Sequence, residues 1–204
     1  MTDAPVTEPV AEIVQTGDPV LREPAHEIDP AGIGSRQFQE LIEVMVRTMR
    51  AAPGVGLAAP QIGVPLRVFV MEDPAEYLAD LGAEELAERE RTPLSLRVWV
   101  NPVLKPIGEE KVGFFEGCLS VAGFVAYVER YREVEVSGLD ERGQPQTMRA
   151  RGWPARILQH EFDHLEGTLY IDRMFSRSFA EAALYQQRFS GKRIAEVRAL
   201  LGVP

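Results

Sequence analysis

A chain of 204 residues is long enough for one domain with a sizeable core and short for two. Its 45% hydrophobic and 26% charged residues are globular in composition, which excludes a disordered, collagenous or fibrous protein. Acids outnumber Lys and Arg by 31 to 22, and this net −9 argues against docking on DNA through a broad basic face. The one cysteine, Cys118, permits no intramolecular disulfide and suits a reducing compartment. No apolar run is long enough for a membrane span. The opening MTDAPVTEPVAE has neither the basic-then-apolar pattern of a signal peptide nor the Arg-rich character of a transit peptide. It reads as a disordered arm, 1–12, ahead of a single cytoplasmic domain, 13–204.

In chain order, IVQTGDPVLREPA is extended and turn-rich, with Gly17-Asp18-Pro19 as punctuation. Phe38, Leu41, Ile42, Met45, Val46 and Met49 recur at helical spacing, and Ser35 is placed to cap that helix. Pro53-Gly54 stops it, and GVGLAAPQIG is too rich in Gly and Pro for a regular element. LRVFVM (66–71) reads as a strand. Residues 72–95 form an acidic insertion, with eight acids over 72–92 against Arg89 and Arg91, and read as solvated. Strands follow at 96–100, ended by Asn101-Pro102, then near 111–115, 124–128, 133–137 and 146–150. Pro154 opens a helix that Gly167 closes. TLYIDRM is strand-like, and a helical tail, 177–204, carries one or two helices near 178–189 and 192–201. Strands in the middle and helices at the flanks make the class α+β.

His160-Glu161-Phe162-Asp163-His164 carries the most chemistry. On a helix, positions i and i+4 share a face, so both imidazoles reach one ion about 2 Å away, and Glu161 reaches a water beside it. A catalytic site needs a third protein ligand. The extended protease pattern HExxHxxGxxH has its glycine here, Gly167, but Tyr170 stands where the third histidine would be. His26 is remote, in the turn-rich segment. Cys118 is the candidate, since thiolate is a strong ligand and Gly117 beside it lets backbone approach closely. An inert buried cysteine and a chance HExxH are the plain alternatives.

Gly54-Val55-Gly56-Leu57-Ala58-Ala59 formally fits the dinucleotide fingerprint, but it follows a helix and precedes a strand, the reverse of what that motif requires. A loop presenting backbone groups to an extended ligand fits better.

Together GVGLAAPQ (54–61), EGCLS (116–120) and QHEFDHLEG (159–167) resemble the three signature motifs of peptide deformylase, in that order and with comparable spacing. The resemblance runs from Ile13 to Met174 and takes in TGDPVLR. SVAGF, SGLDERG and GWPARILQHEFDHLEG look closest to the organelle-type branch, as does the insertion, although the missing transit peptide points to a bacterial cytosolic source. It implies small mixed or antiparallel sheets packed around a central metal-bearing helix. It also implies removal of the formyl group from the N-terminal formyl-methionine of nascent chains, giving formate. By the same resemblance Cys118, His160 and His164 hold the metal, natively Fe2+, with Zn2+ or Ni2+ able to replace it in the purified protein. Glu161 is then the catalytic acid and base. The Gln61 side-chain amide and the Leu119 N–H hold the formyl oxygen, and Gly56 and Gly117 lie along the substrate.

A divalent ion lowers the pKa of a bound water towards neutrality, and general acid–base help adds roughly 10²–10⁴ in rate. By alignment to the motifs, Val55, Trp153 and Ile157 are the candidates for an apolar methionine pocket, ordinary core packing being the alternative. Val125 stands where many bacterial members carry a basic residue that contacts the substrate backbone. Residues 173–204 hold six bases and two acids, a local +4 on a body left with 16 bases and 29 acids. That suits contact with ribosomal RNA near the tunnel exit, a solvated helix face being the alternative. Other functional readings are a zinc endopeptidase and a metal-stabilised binding protein without turnover.

Overall fold

The computed structural model describes residues 10–189 and 191–203. Its elements are α1 (Arg36–Ala51), β1 (Gly56–Ala58), β2 (Val68–Asp73), α2 (Ala75–Leu78), α3 (Ala83–Arg89), β3 (Leu94–Pro106), β4 (Lys111–Cys118) and β5 (Val121–Tyr131). They continue with β6 (Glu133–Leu139), β7 (Pro145–Arg151), α4 (Trp153–Leu165), β8 (Ala180–Glu181), α5 (Ala182–Phe189) and α6 (Ile194–Leu201). Two sheets form, a five-stranded one in the order β1-β2-β3-β6-β7 and a three-stranded one in the order β4-β5-β8. Every pairing between these strands is antiparallel.

The strands at the centre of the larger sheet are apolar on both faces because both faces are covered. Val68, Val70, Val98 and Val100 pack with Phe38, Ile42, Met45 and Met49 of α1. Their alternates Phe69, Met71 and Trp99 pack with Ala155, Ile157, Leu158 and Leu165 of α4. A period of two along each strand therefore feeds two cores at once. α4 sits between the sheets and touches strands of both. Its buried residues accordingly run round the whole helix rather than along one stripe. Ser35 does cap α1, its Oγ accepting from the Phe38 N–H at 3.3 Å.

Several elements differ from the sequence reading, each for a physical reason. GVGLAAPQIG is regular after all: β1 pairs Gly56 with Met71 and Ala58 with Phe69, and Ala59–Ile62 close into a 3-10 turn. The strand expected to stop at Asn101-Pro102 continues to Pro106. Asn101 takes up the irregularity in the left-handed region, at φ 48°, while the register shifts between Val100 and Val103. Its side chain compensates, accepting from the Ile28 N–H at 2.9 Å and donating to the Ile28 carbonyl at 2.8 Å. TLYIDRM is a 3-10 turn over Tyr170–Asp172, and only Met174 makes a bridge, to Val128. The first tail helix begins later than expected, at Ala182, because Ala180–Glu181 add a short strand to β5, and the second runs over Ile194–Leu201.

The insertion is exposed along much of its length, as expected, but it is pinned at its ends. Asp73 is buried and bound by Arg91 through Nε and Nη2, both at 2.8 Å, so the two ends of the segment are tied together. Of the expected arm, residues 1–9 lie outside the described residues, while the Ala11 N–H donates to Thr48 Oγ1 at 2.9 Å.

Candidate metal centre

Cys118 ends β4, and Val121 starts β5 opposite it, so Leu119-Ser120 form the tight link of a hairpin. A register shift between Gly117 and Cys118 breaks the ladder there, the kind of bulge that re-aims a side chain. The same break leaves the Leu119 N–H beyond the end of β4. Across from this hairpin, α4 presents His160 and His164 one turn apart. The Cys118, His160 and His164 ligand atoms all lie within 4.8 Å of one another, and Cys118 Sγ is 3.3 Å from His164 Nε2. Two donors bound tetrahedrally to one ion at the usual zinc or iron distances sit about 3.5 Å apart, so the spacing fits a shared cation.

Their surroundings fit one too. His160 turns Nδ1 to Glu116 Oε2 at 3.0 Å, which leaves Nε2 for the ion, the carboxylate–histidine arrangement common behind metal ligands. Burial opposes charge on His160, but hydrogen bonds to Cys118 and Glu116 outweigh it and raise its pKa well above the ordinary value. The centre therefore attracts positive charge. Burial, with His160 and Arg130 nearby, holds the His164 imidazole well below its ordinary value, in the neutral form that ligates.

Glu161 follows His160 round the helix and lies against β1. A Cβ on Gly56 would fall 2.2 Å from Glu161 Oε1, so only glycine leaves room for this carboxylate. Glu161 Oε2 is buried with no hydrogen-bond partner among the described residues. Burial, reinforced by Glu116 and opposed by His160, pushes its carboxyl up to about 7. Gln61 is oriented by the Ala58 N–H, which donates to its Oε1 at 2.8 Å. Its amide nitrogen therefore faces the centre, 3.5 Å from Cys118 Sγ and 3.4 Å from Ser120 Oγ.

A cleft of about 470 Å³ opens on this group, and Val55, Gly56, Gln61, Gly117, Cys118, Leu119, Trp153, Ile157, His160 and Glu161 all line it. His164 is the one expected site residue that does not line the cleft, and it lies buried beneath it. Val125 also lines the cleft. Tyr170, standing where a third histidine would be, stacks over His160 with ring centroids 6.2 Å apart and donates to the Phe124 carbonyl at 3.1 Å. It packs against a candidate ligand instead of being one.

Residues 10–179 match the family model described as polypeptide deformylase. The chain belongs to the polypeptide deformylase family. It is 57% identical over 168 residues to peptide deformylase 1A, chloroplastic/mitochondrial, of Arabidopsis thaliana, covering 82% of this chain. It spans 62% of that plant protein's length. To peptide deformylase 1 of Streptomyces coelicolor it is 48% identical over 178 residues, 87% of this chain and 79% of that one. The fold is similar to the Met-Ala-Ser-bound class I type b peptide deformylase of Acinetobacter baumannii, with a TM-score of 0.72 and 31% identity. That likeness covers 81% of this chain and 98% of the other. The second and third motifs of this deformylase-family chain thus supply the three donors, and the first supplies Gly56 and Gln61.

Sequence reasoning missed what stands behind the donors. Glu116 is fully enclosed and takes Arg130 Nε at 2.9 Å, Arg130 Nη2 at 2.8 Å and Arg156 Nη1 at 2.5 Å as well as His160. Arg130 also reaches Asp163 on α4, and Arg173 binds the same carboxylate twice at 2.7 Å. Burial would raise the Glu116 carboxyl, but Arg130 and Arg156 hold it well below the ordinary range. The available signal was arginine at positions 130 and 156 in elements otherwise built for burial.

Replacing Arg130 with Met strips both carboxylates of their common partner. It is expected to cost about 3–5 kcal/mol of stability, read from the urea unfolding midpoint. Arg130→Lys should recover little of this, since one ammonium lacks the fork that serves two carboxylates. A loss below about 1 kcal/mol for Arg130→Met would show that the network does not carry the centre.

Proposed function

We propose that this chain hydrolyses the formyl group from the N-terminal formyl-methionine of nascent polypeptides, releasing formate and a free amino terminus. The observation that carries the reading is the convergence of one sulfur and two imidazoles beside a buried, high-pKa carboxylate at the floor of a single cleft. Cys118, His160 and His164 would hold the divalent ion, whose contribution when bound is Lewis acidity that acidifies water and polarises a carbonyl. Fe2+ is the proposed native ion, with Zn2+ or Ni2+ able to take its place, since thiolate with two imidazoles suits each.

Glu161 takes a proton from the water that attacks the formyl carbon and returns it to the departing amine nitrogen. The Gln61 amide and the Leu119 N–H donate to the formyl oxygen as negative charge gathers there, each worth about 3 kcal/mol. Gly56 and Gly117 border the substrate backbone. Val55, Trp153 and Ile157 take up the methionine side chain, and Val125 presents an apolar surface to whatever follows it. Residues 13–204 act as one catalytic domain.

The reading extends to partner and place. The substrate is a nascent chain, and the tail would meet ribosomal RNA through its exposed Arg177, Arg188 and Lys192. Arg193 is already engaged with Glu84, and Arg198 lies over the Tyr127 ring, so neither base counts toward that contact. The proposed compartment is the bacterial cytoplasm, where the ligating thiol stays reduced. Among the described residues no helix is long and apolar enough to cross a membrane.

Glu161→Ala is expected to retain the metal, since all three donors remain, while formate release from formyl-Met peptides falls by about 10²–10⁴. Metal analysis and formate assay on anaerobically purified protein check it, and a near wild-type rate refutes the assigned role. A protonated Glu161 cannot accept a proton, so kcat/KM should fall as pH drops through the pKa of its carboxyl. Positive charge held by the three donors lowers that value, which puts the acid limb at or below pH 7. Activity that stayed flat down to pH 4 would remove Glu161 as the base. Reversing charge at Arg188 and Lys192 together should weaken cosedimentation with ribosomes in low salt while peptide deformylation is kept; unchanged cosedimentation ends the ribosome proposal.

A further inference from the structure

The acidic insertion is fastened to the body at the point where the cleft is walled. Besides the Asp73–Arg91 tie, Glu90 sits in the left-handed region at φ 49° and divides its carboxylate between two arginines. Arg132 Nε and Arg151 Nε each donate to it at 2.6 Å. Its backbone presses on Gly152, where a Cβ would lie 2.4 Å from Glu90 Cβ. Gly152 immediately precedes Trp153, so the end of the insertion and the start of α4 are locked together.

The side chains on either side of Glu90 both reach into the cleft wall. The Arg89 guanidinium lies over the Trp153 ring at 4.9 Å from its centroid and over Phe114 at 5.8 Å, and Arg91 lies 5.3 Å from the same indole. Arg89 and Arg91 line the cleft beside Trp153. Glu85, one turn back on α3, holds Arg89 Nη2 at 2.9 Å. The Trp153 indole N–H is buried and has no hydrogen-bond partner among the described residues. No hydrogen bond among the described residues therefore holds this ring; it packs between the apolar cluster behind it and Arg89 and Arg91, with Phe114 edge-on at 6.4 Å.

We propose that the end of the insertion, through Arg89 and Arg91, forms the outer wall of the pocket for the first side chain of the substrate, with Arg89 as its specificity-determining residue. Arg89 works through Trp153. By pressing the indole against α4 it fixes the depth of the pocket at an unbranched, methionine-sized side chain, and it leaves the proton chemistry at Glu161 alone. Arg91 is committed to Asp73 and serves as the anchor, so Arg89 is the member of the pair that sets the wall. The inference rests on the deformylase reading of the cleft.

The test uses the full chain loaded with Ni2+ and compares formyl-Met-Ala-Ser with formyl-Phe-Ala-Ser. In Arg89→Ala, KM for the methionine peptide should rise about fivefold, the size of one partly buried cation–π contact. In the same variant kcat stays within about twofold and the preference for methionine over phenylalanine drops by about tenfold, the discrimination an apolar pocket commonly supplies. Arg89→Lys should fall between the two proteins. In a Trp153→Leu background, Arg89→Ala should change the preference no further, because the ring it acts through is gone.

The fold carries its own probe. Trp99, which is fully buried, is the only other tryptophan, so added acrylamide quenching in Arg89→Ala reports on Trp153. A wild-type protein that releases no formate from formyl-Met-Ala-Ser refutes the functional reading. An active Arg89→Ala with an unaltered methionine preference and unaltered quenching refutes the wall. A uniform loss against both peptides with an unfolded circular-dichroism spectrum in Arg89→Ala, but an unchanged preference in folded Arg89→Lys, refutes it as well.

Discussion

A carboxylate at the position of Glu116, enclosed between two sheets and a helix, is tolerable only if its charge is matched on every side. Two guanidiniums and an imidazole supply that match, and the geometry follows from the requirement. Arg130 comes from β5, Arg156 and His160 from successive turns of α4, and Glu116 itself from the strand that ends in Cys118. Satisfying the buried charge therefore places the thiol-bearing strand end beside the histidine-bearing helix face. The donors meet because the ions behind them must.

The same helix imposes a second constraint on the opposite jaw. Glu161 projects toward β1, and Gly56 is the residue whose missing side chain admits it. Burial keeps that carboxyl near neutrality and therefore able both to take and to give a proton. Asp163, two residues on, faces away into Arg130 and Arg173 and stays engaged in ion pairs. Three buried acids around one helix, Glu116, Glu161 and Asp163, thus differ in charge because their neighbours differ.

What could be read from the sequence was what local spacing encodes. The i, i+4 spacing of the histidines, the cap at Ser35, and Pro154 and Gly167 at the two ends of α4 are statements about one helix at a time, and the helices form as they require. Cys118 was reachable by elimination, since the chain offers few alternative ligands. The ion network was not legible, because Arg130 meets Glu116 and Asp163 across 14 and 33 positions of chain. The ion pairs of the insertion were missed for a related reason. Its charged composition scores as solvent-facing, yet Asp73, Glu85 and Glu90 spend their charge on Arg91, Arg89, Arg132 and Arg151. Composition counts charges without saying which of them face each other.

The cleft has one jaw on each sheet, and a site of that kind works only if the jaws keep a fixed distance. The segment before α1 provides the link. The Val14 N–H donates to the Gln61 carbonyl at 2.9 Å, and two residues later the Thr16 N–H donates to the Ser120 carbonyl at 2.7 Å. Between them Gln15 spans the hairpin, donating to the Leu119 carbonyl at 3.0 Å and accepting from the Ala122 N–H at 3.2 Å. Three consecutive residues thereby join the backbone carrying the Gln61 amide to the backbone carrying the Leu119 N–H, the two proposed donors to the formyl oxygen. Donors that are already in place when charge develops stabilise it without reorganising, whereas donors on independently moving elements give up much of that benefit. A turn-rich stretch that lends no side chain to the proposed chemistry is therefore part of what fixes the spacing of the two proposed oxygen-binding groups.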